Sequence, residues 1–342
     1  MKTLNKLSVP VIQGGMGVGV SMGSLAGAVA AEGGMGVIST ANIGFREENF
    51  WNEPRETDKV ALAKEIKKAQ EIAGGKGLIA INAMVATTNF QEMIEVACDC
   101  GIDAVIAGAG LPLELPAFTE GRDVLIAPIV SSGRAAQMIM KVWMKRHNRK
   151  PDFIVVEGSM AGGHLGFDQE QVSNGTTDSI YKITEDVVSI AGEIPVFAAG
   201  GIFDASDIKK CLEIGAKGVQ IATRFIATKE CDASQGFKNI IIGAKSEDVM
   251  ILKSPVGMPG RGLKSPLMEK VAAGEKTPAD VCIGCIHTCR PMTTPYCINE
   301  ALINAFNGVW DKGLFFCGGN VGRINEMTTV HDLMEELKKG WE

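Results

Sequence analysis

Residues 157–166 place a histidine near a carboxylate in a stretch rich in glycine. His164 follows Gly162 and Gly163, and Glu157 stands shortly before them. Histidine transfers protons near neutral pH, and a glycine loop gives its ring room to reach a substrate. The chain has only four histidines, and the other three stand in polar or cysteine-rich surroundings. We therefore predict that His164 is an acid–base group, the alternative being a structural loop histidine.

Small residues and amides at the ends of apolar runs indicate a site for a planar ring. Gly15, Met16 and Gly17 follow a short apolar run, and glycines let backbone amides approach a ring closely. Asn82 ends another run. Its amide is suited to the edge of a heterocycle, although asparagine also begins turns. A plain tight turn remains the alternative for both segments.

Two further loops are suited to a phosphate. Gly200 and Gly201 follow one apolar run, and Thr223 ends the next. Loops after the last two strands of an α/β barrel often bind phosphate through backbone N–H groups. Asp204 is then expected to cap the helix that follows. The strand ends offer no ligand set for a catalytic metal, and the chain has no Walker-type loop.

The elements that must position these residues are a series of strands and helices. Eight short apolar runs occupy 9–13, 36–40, 78–84, 104–109, 124–130, 153–157, 194–199 and 218–223. Segments with helical periodicity lie between them, at 60–73, 90–100, 133–146, 184–191 and 205–214. Strands that are apolar throughout are typical of a parallel sheet covered on both faces. Eight such units predict an α/β fold of the TIM (β/α)8 barrel type, with a doubly wound open sheet as the alternative.

The alternation of strands and helices stops after Ala244. Residues 245–313 contain six prolines and a cysteine cluster, and we interpret them as a lid or insertion. The tail offers a short strand-like run from Leu314 and a closing helix at 330–339. The predicted organisation is therefore a barrel at 1–244, a lid at 245–313, and a C-terminal segment at 314–342 that returns to the barrel.

Four of the nine cysteines crowd into the predicted lid, namely Cys282, Cys285, Cys289 and Cys297. Their spacing suits a zinc ion or an iron–sulfur cluster. The first three resemble the cluster loop of iron–sulfur flavin reductases of the 2-enoate reductase type. The alternative is a lid whose thiols are reduced and merely buried. A cluster would favour an anaerobic reductase.

Composition excludes several classes of protein. The net charge is −6, with 46% hydrophobic and 22% charged residues, so we expect neither wholesale disorder nor nucleic-acid binding. Residues 7–31 carry no charge, but glycines, a proline and serines interrupt them, so we predict neither a membrane span nor a leader peptide. The cysteines are crowded into one segment and are not spread along the chain as in a secreted disulfide framework. This indicates a reduced, cytoplasmic protein. We expect a small-molecule substrate and no membrane partner. The sequence leaves open whether the chain forms a homo-oligomer.

Several blocks together resemble a known family. Residues 9–16, 157–166, 195–202, 215–228 and 254–261 look like the signature blocks of the nitronate monooxygenase (2-nitropropane dioxygenase-like) flavoproteins. The flavin-dependent enoyl-ACP reductase II enzymes belong to the same superfamily. The resemblance spans about 1–262 and resumes near 317–320.

The resemblance implies a TIM barrel that holds FMN non-covalently, with His164 as the catalytic residue. The isoalloxazine would lie against Gly15, Met16 and Gly17, with Asn82 at its polar edge. Gly200, Gly201, Ala222 and Thr223 would hold the phosphate. The remaining cofactor positions would be Glu157, Gly163 and Gln220.

The resemblance also implies the reaction. In a nitronate oxidiser, His164 would deprotonate the carbon beside the nitro group or bind the nitronate. The alternative is an NAD(P)H-dependent enoyl-thioester or quinone reductase that uses FMN, in which a protonated His164 would assist. An isomerase or synthase that binds a phosphorylated ligand without flavin is a third hypothesis.

Overall fold

The computed structural model describes residues 2–342 and contains eleven strands within them. The strands are β1 (Val11–Gln13), β2 (Met35–Ser39), β3 (Leu78–Met84), β4 (Ala104–Gly108), β5 (Leu125–Val130), β6 (Ile154–Glu157), β7 (Gly163–His164), β8 (Val196–Ala199), β9 (Gly218–Ile221), β10 (Val249–Lys253) and β11 (Pro259–Leu263). The helices are α1 (Gly23–Ala31), α2 (Pro54–Ala73), α3 (Phe90–Asp99), α4 (Leu115–Phe118), α5 (Gly133–His147), α6 (Gln169–Ser173), α7 (Ile180–Ala191), α8 (Ala205–Glu213), α9 (Thr223–Ile226), α10 (Gln235–Gly243), α11 (Pro266–Ala272), α12 (Ile298–Phe306) and α13 (Val330–Lys338).

Eight parallel strands close into a barrel in the order β1-β2-β3-β4-β5-β6-β8-β9. The barrel closes where β9 pairs with β1, with Ile12 opposite Gln220. The TIM-barrel prediction is therefore confirmed, and a doubly wound open sheet is excluded because the first and last strands are hydrogen-bonded. Every predicted run overlaps one barrel strand, with ends that differ by a few residues.

The barrel interior is filled by apolar side chains from alternate strand positions. Phe197 from β8 and Phe153, just before β6, meet edge to face with ring centroids 5.6 Å apart. Ile12, Met35 and Val155 are fully buried in the same cluster. This packing closes the barrel below its carboxyl-terminal mouth, so a ligand has room only at the mouth.

A second sheet lies over that mouth. β10 and β11 form an antiparallel hairpin, and β11 also pairs with the short strand β7. The sequence prediction contained none of these three strands. β7 has only two residues, β10 is half-buried, and β11 carries two glycines and a proline, so none shows a clear apolar run. The predicted lid region therefore contributes the hairpin that covers the barrel.

The C-terminal segment lies beside this hairpin rather than forming a strand of its own. The run from Leu314 was expected to be strand-like. Leu263 donates its backbone N–H to Phe315 at 2.9 Å, and Phe316 forms one isolated bridge with Gly262. The predicted closing helix is confirmed as α13, which packs on α1 and α8.

Within residues 2–342, no helix combines the length and the apolar character that crossing a membrane requires.

Candidate active site

One cavity at the carboxyl-terminal mouth of the barrel brings the predicted site residues together. Its lining includes all twelve residues that the sequence assigned to the catalytic and cofactor positions. They are Gly15, Met16, Gly17, Asn82, Glu157, Gly163, His164, Gly200, Gly201, Gln220, Ala222 and Thr223. The cavity lies where α/β barrels place their active sites, at the ends of several different strands.

The floor of the cavity is polar because, on three strands, the last side chain that points into the barrel is polar and not apolar. Asn82 follows the buried interior residue Ala80 by two positions, so its side chain faces the same way. Glu157 and Gln220 lie in one row with Ala199 across β6, β8 and β9. An amide, a carboxyl and a second amide therefore replace the apolar side chains of the layers below.

Two of these floor side chains lack favourable partners in the protein itself. Burial raises the pKa of Glu157 to about 8, so the carboxyl is uncharged at neutral pH. Oε1 of Gln220 is buried and has no hydrogen-bond partner within residues 2–342. Because buried acceptors are nearly always paired, this oxygen indicates a donor that a ligand would supply.

The glycine loop after β1 lies against the floor. A β-carbon on Gly15 would collide with that of Asn82, so only glycine fits there. The Met16 backbone is held on both sides by Ser21, whose Oγ accepts the Met16 N–H at 2.7 Å and whose own N–H bonds the Met16 carbonyl at 2.9 Å. The loop is thus fixed at close range to the cavity rather than free to move.

Two adjacent strand ends present unpaired backbone donors. Within residues 2–342, the N–H groups of Gly200, Gly201, Ala222 and Thr223 have no hydrogen-bond partner. Gly200 and Gly201 have φ values of +85° and +96°, which favour glycine. The sequence placed Thr223 at the end of a strand, but the structure places it at the start of α9. Successive free amides at such a turn form a concave anion site.

The two arginines beside this turn do not supply a free positive charge. Arg224 makes a two-point ion pair with Glu336 at 2.8 and 2.7 Å. Arg323 pairs with Asp204 at 2.6 Å. Asp204 also caps α8, as predicted, by accepting the N–H groups of its first turn. An anion bound here would therefore depend chiefly on the backbone amides.

His164 is held by the lid sheet rather than by the barrel. β7 pairs with β11, with Gly260 opposite His164, and Nε2 lies 2.8 Å from Oγ of Ser254 at the hairpin turn. The ring of Phe316 meets the imidazole edge to face, 5.2 Å between centroids. Burial lowers the pKa of His164 to about 4, so the ring is neutral at neutral pH.

Arg261 fixes the loop that leads to His164. Its guanidinium donates from Nη2 to the Ser159 carbonyl at 2.6 Å and from Nε to the Ala161 carbonyl at 3.2 Å. Ser254, Arg261 and Phe316 had no assigned role in the sequence analysis. The first two stand in the signature block 254–261, which was the available signal; nothing in the sequence pointed to Phe316.

The four lid cysteines lie outside the cavity lining but close enough to one another for their thiols to interact electrostatically. Within residues 2–342, no three of their sulfur atoms come within 4.8 Å of one another, and all nine cysteines are free. The group that meets this distance is Glu32, His331 and Glu335, and Lys338 already pairs with both of its carboxylates. Metal binding by the cysteines therefore stays a prediction.

The cysteine segment nevertheless packs beside the cavity. Ile286 forms an antiparallel bridge with Thr87, just beyond β3. Thr288 donates its hydroxyl to the Val256 carbonyl at the hairpin turn, at 3.2 Å. The segment therefore supports the turn that carries Ser254.

Comparisons with known proteins agree with this geometry. The FabK structure from Thermotoga maritima superimposes with a TM-score of 0.78 at 24% identity, covering 99% of this chain and 94% of that one. A nitroalkane oxidase from Streptomyces ansochromogenes gives 0.75 at 19% identity, covering 97% and 95%. At these identities the likeness concerns the fold alone.

Sequence comparison identifies the family. A probable nitronate monooxygenase of Staphylococcus saprophyticus is 28% identical over 195 residues, which cover 55% of this chain and 51% of that protein. The match thus spans about half the length of that relative. The family model described as nitronate monooxygenase matches residues 1–340. The chain therefore belongs to the nitronate monooxygenase family.

Proposed function

We propose that this chain is an FMN-dependent oxidoreductase of the nitronate monooxygenase type, which uses O₂ to convert alkyl nitronates to carbonyl compounds and nitrite. The observation that carries the proposal is the neutral imidazole of His164 in a cavity whose floor is polar but uncharged. Membership in the family supports the reaction class.

The residues present fit FMN. The unpartnered Oε1 of Gln220 needs a donor of the kind that a flavin ring or ribityl chain offers. The free amides of Gly200, Gly201, Ala222 and Thr223 suit its phosphate. We assign the ring to the loop at Gly15, Met16 and Gly17, with Asn82, Glu157 and Gly163 around it. Bound FMN supplies the redox chemistry, taking electrons from the substrate and returning them to O₂.

The protonation state of His164 favours this reaction over the alternative. An NAD(P)H-dependent enoyl-thioester or quinone reductase of the kind considered above needs a protonated His164. Burial lowers the pKa of His164 to about 4, so the ring is uncharged at neutral pH. A neutral ring can still bind a nitronate, because its one N–H can donate a hydrogen bond to a nitronate oxygen.

The apolar wall of the cavity then limits what the substrate carries. Met84, Leu302, Leu314 and Phe316 line the cavity together with His164. These side chains exclude water from the reacting carbon and favour alkyl over charged substituents. We propose that the lid at 245–313 supplies part of this wall and controls entry.

Other aspects of the sequence prediction belong here as proposals. Cys282, Cys285, Cys289 and Cys297 are proposed to bind zinc or an iron–sulfur cluster. Quantification of iron and zinc in anaerobically purified protein tests this directly, and a metal content near zero refutes it.

We also propose a cytoplasmic location, because all nine thiols are unpaired. A homo-oligomer is testable by light scattering.

The function itself is tested with a secondary alkyl nitronate. The purified protein should carry FMN, consume O₂ and release nitrite with the nitronate as sole reductant. Turnover that requires NADH or NADPH and releases no nitrite would overturn the proposal. Colourless protein that binds no FMN would instead support the isomerase or synthase hypothesis.

A further inference from the structure

The lid hairpin holds His164 by one ring nitrogen and leaves the other free. Nε2 lies 2.8 Å from Ser254 Oγ, and Ser254 is only 3% exposed. Within residues 2–342, Nδ1 has no hydrogen-bond partner. Because His164 lines the cavity, Nδ1 is the nitrogen available to a substrate.

The turn that carries Ser254 is itself held in place. Ser254 donates its backbone N–H to Met258 at 3.2 Å and accepts the N–H of Gly257 at 2.9 Å. Thr288 fixes the outer side of the same turn through the Val256 carbonyl, at 3.2 Å. The hydroxyl of Ser254 is therefore presented to the imidazole from a defined position.

The hydrogen of the Ser254 hydroxyl decides which ring nitrogen carries a proton. Its Oγ already accepts the N–H of Val256 at 3.2 Å. In the part of the chain that the structure describes, Nε2 of His164 is the one acceptor within reach of this hydroxyl. A buried hydroxyl left without an acceptor costs about 1–3 kcal/mol, so the hydrogen points at Nε2. A neutral imidazole whose Nε2 accepts a hydrogen bond carries its proton on Nδ1.

We propose that Ser254 is a positioning residue that fixes His164 in the Nδ1–H tautomer, so that the ring presents a hydrogen-bond donor to the substrate. On the proposed function, which this inference refines, Nδ1–H bonds an oxygen of the nitronate. A donor at this position cannot remove a proton from carbon. The substrate must therefore arrive already ionised, as the nitronate and not as the neutral nitroalkane.

The tautomer is measurable without any turnover. We would label the histidines of the purified full chain with ¹⁵N and record the ring signals by NMR at neutral pH. With four histidines in the chain, His164→Gln identifies the signal by its loss. The wild type should show a protonated Nδ1 and an unprotonated, hydrogen-bonded Nε2. A wild-type signal with the proton on Nε2 overturns the proposal outright.

Variants of Ser254 distinguish a role in positioning the His164 ring from a role in the stability of the fold. Ser254→Ala should move the His164 signal towards the Nε2–H tautomer, and Ser254→Thr, which keeps the hydroxyl, should restore the wild-type pattern. Lys253→Ala is the matched control, because this exposed neighbour makes no side-chain contact with His164. An unchanged tautomer in Ser254→Ala would refute the role of Ser254. If Ser254→Ala does not fold, the wild-type and Ser254→Thr spectra still decide the tautomer.

Kinetics distinguish this inference from the proposed function. The wild type should oxidise a nitronate but show no activity within the time of the assay on the matching neutral nitroalkane, before it ionises in solution. Equal activity on both forms would refute the donor role while leaving nitronate oxidation intact. No activity on either form would refute the proposed function and leave the NMR result unaffected.

Discussion

Replacing Glu157 with glutamine should remove a loss of stability that the wild-type barrel undergoes as the pH rises from acid to neutral. Burial at the floor of the cavity raises the pKa of Glu157 from 4.5 to about 8. The folded protein therefore binds this proton more tightly than the unfolded chain does. Below about pH 4.5 the Glu157 carboxyl is protonated in both the folded and the unfolded protein, so it does not reduce the free energy of unfolding. This free energy falls as the pH rises from about 4.5 to about 8.

The size of the effect follows from the shift. At about 1.4 kcal/mol per pKa unit, a rise of this size corresponds to about 5 kcal/mol for a fully buried group. Glu157 is only partly buried and faces a cavity that admits water, so we expect about half of that, 2–3 kcal/mol. A glutamine at this position would keep the size and the hydrogen-bonding ability of the neutral acid but could not ionise.

The assay is urea unfolding of the flavin-free protein, followed by tryptophan fluorescence at several pH values between 5 and 9. The free energy of unfolding of Glu157→Gln minus that of the wild type should grow across this range. Glu193→Gln, at an exposed position, is the matched control and should show no such trend. A difference that does not change with pH would refute the reasoning, because Glu157 would then be ionised or solvated in the folded protein.

Three further predictions concern the remaining site. His164→Ala should lower nitronate turnover by about 10–100-fold, the value of one hydrogen bond to a charged group, whereas His331→Ala, at an exposed position, should leave it unchanged in an O₂-uptake assay. Gln220→Leu should weaken FMN binding by about fivefold, the value of about one hydrogen bond, in a fluorescence titration; unchanged affinity would mean that Gln220 does not contact the cofactor. Gly200→Ala should cost about 1–3 kcal/mol in stability and release FMN, because φ is +85° and the new β-carbon would lie 2.6 Å from the Gly158 carbonyl oxygen. A melting temperature equal to that of the wild type would contradict this.

The barrel could be predicted because its strands are buried on both faces and so appear as uninterrupted apolar runs. Their ends mark the carboxyl-terminal mouth, which is why Asn82 was found from position alone, whereas Glu157 and Gln220 were assigned to the cofactor through the family resemblance. α2 begins at Pro54, six residues before the predicted start, because its first turns carry mostly polar residues that show no apolar periodicity. Local periodicity carries no information about such turns.

The lid sheet could not be predicted because its contacts are distant in sequence. Ser254 reaches His164 across 90 residues, and no periodic pattern records such a pairing. Phe316 reaches the same ring from the C-terminal segment. The cysteines show a different limit: their spacing suits a metal, but no three of their sulfur atoms within residues 2–342 lie within 4.8 Å of one another, so the metal site stays a prediction. Spacing alone does not decide how a loop is packed.

The central claim is that a nitronate, and not a pyridine nucleotide, reduces the flavin in this cavity. Anaerobic stopped-flow mixing of the purified flavoprotein with an alkyl nitronate, NADH and NADPH in parallel tests it most directly. We expect rapid loss of the oxidised flavin absorbance with the nitronate and none on that timescale with either nucleotide. Rapid bleaching by NADH or NADPH with no response to the nitronate would contradict it.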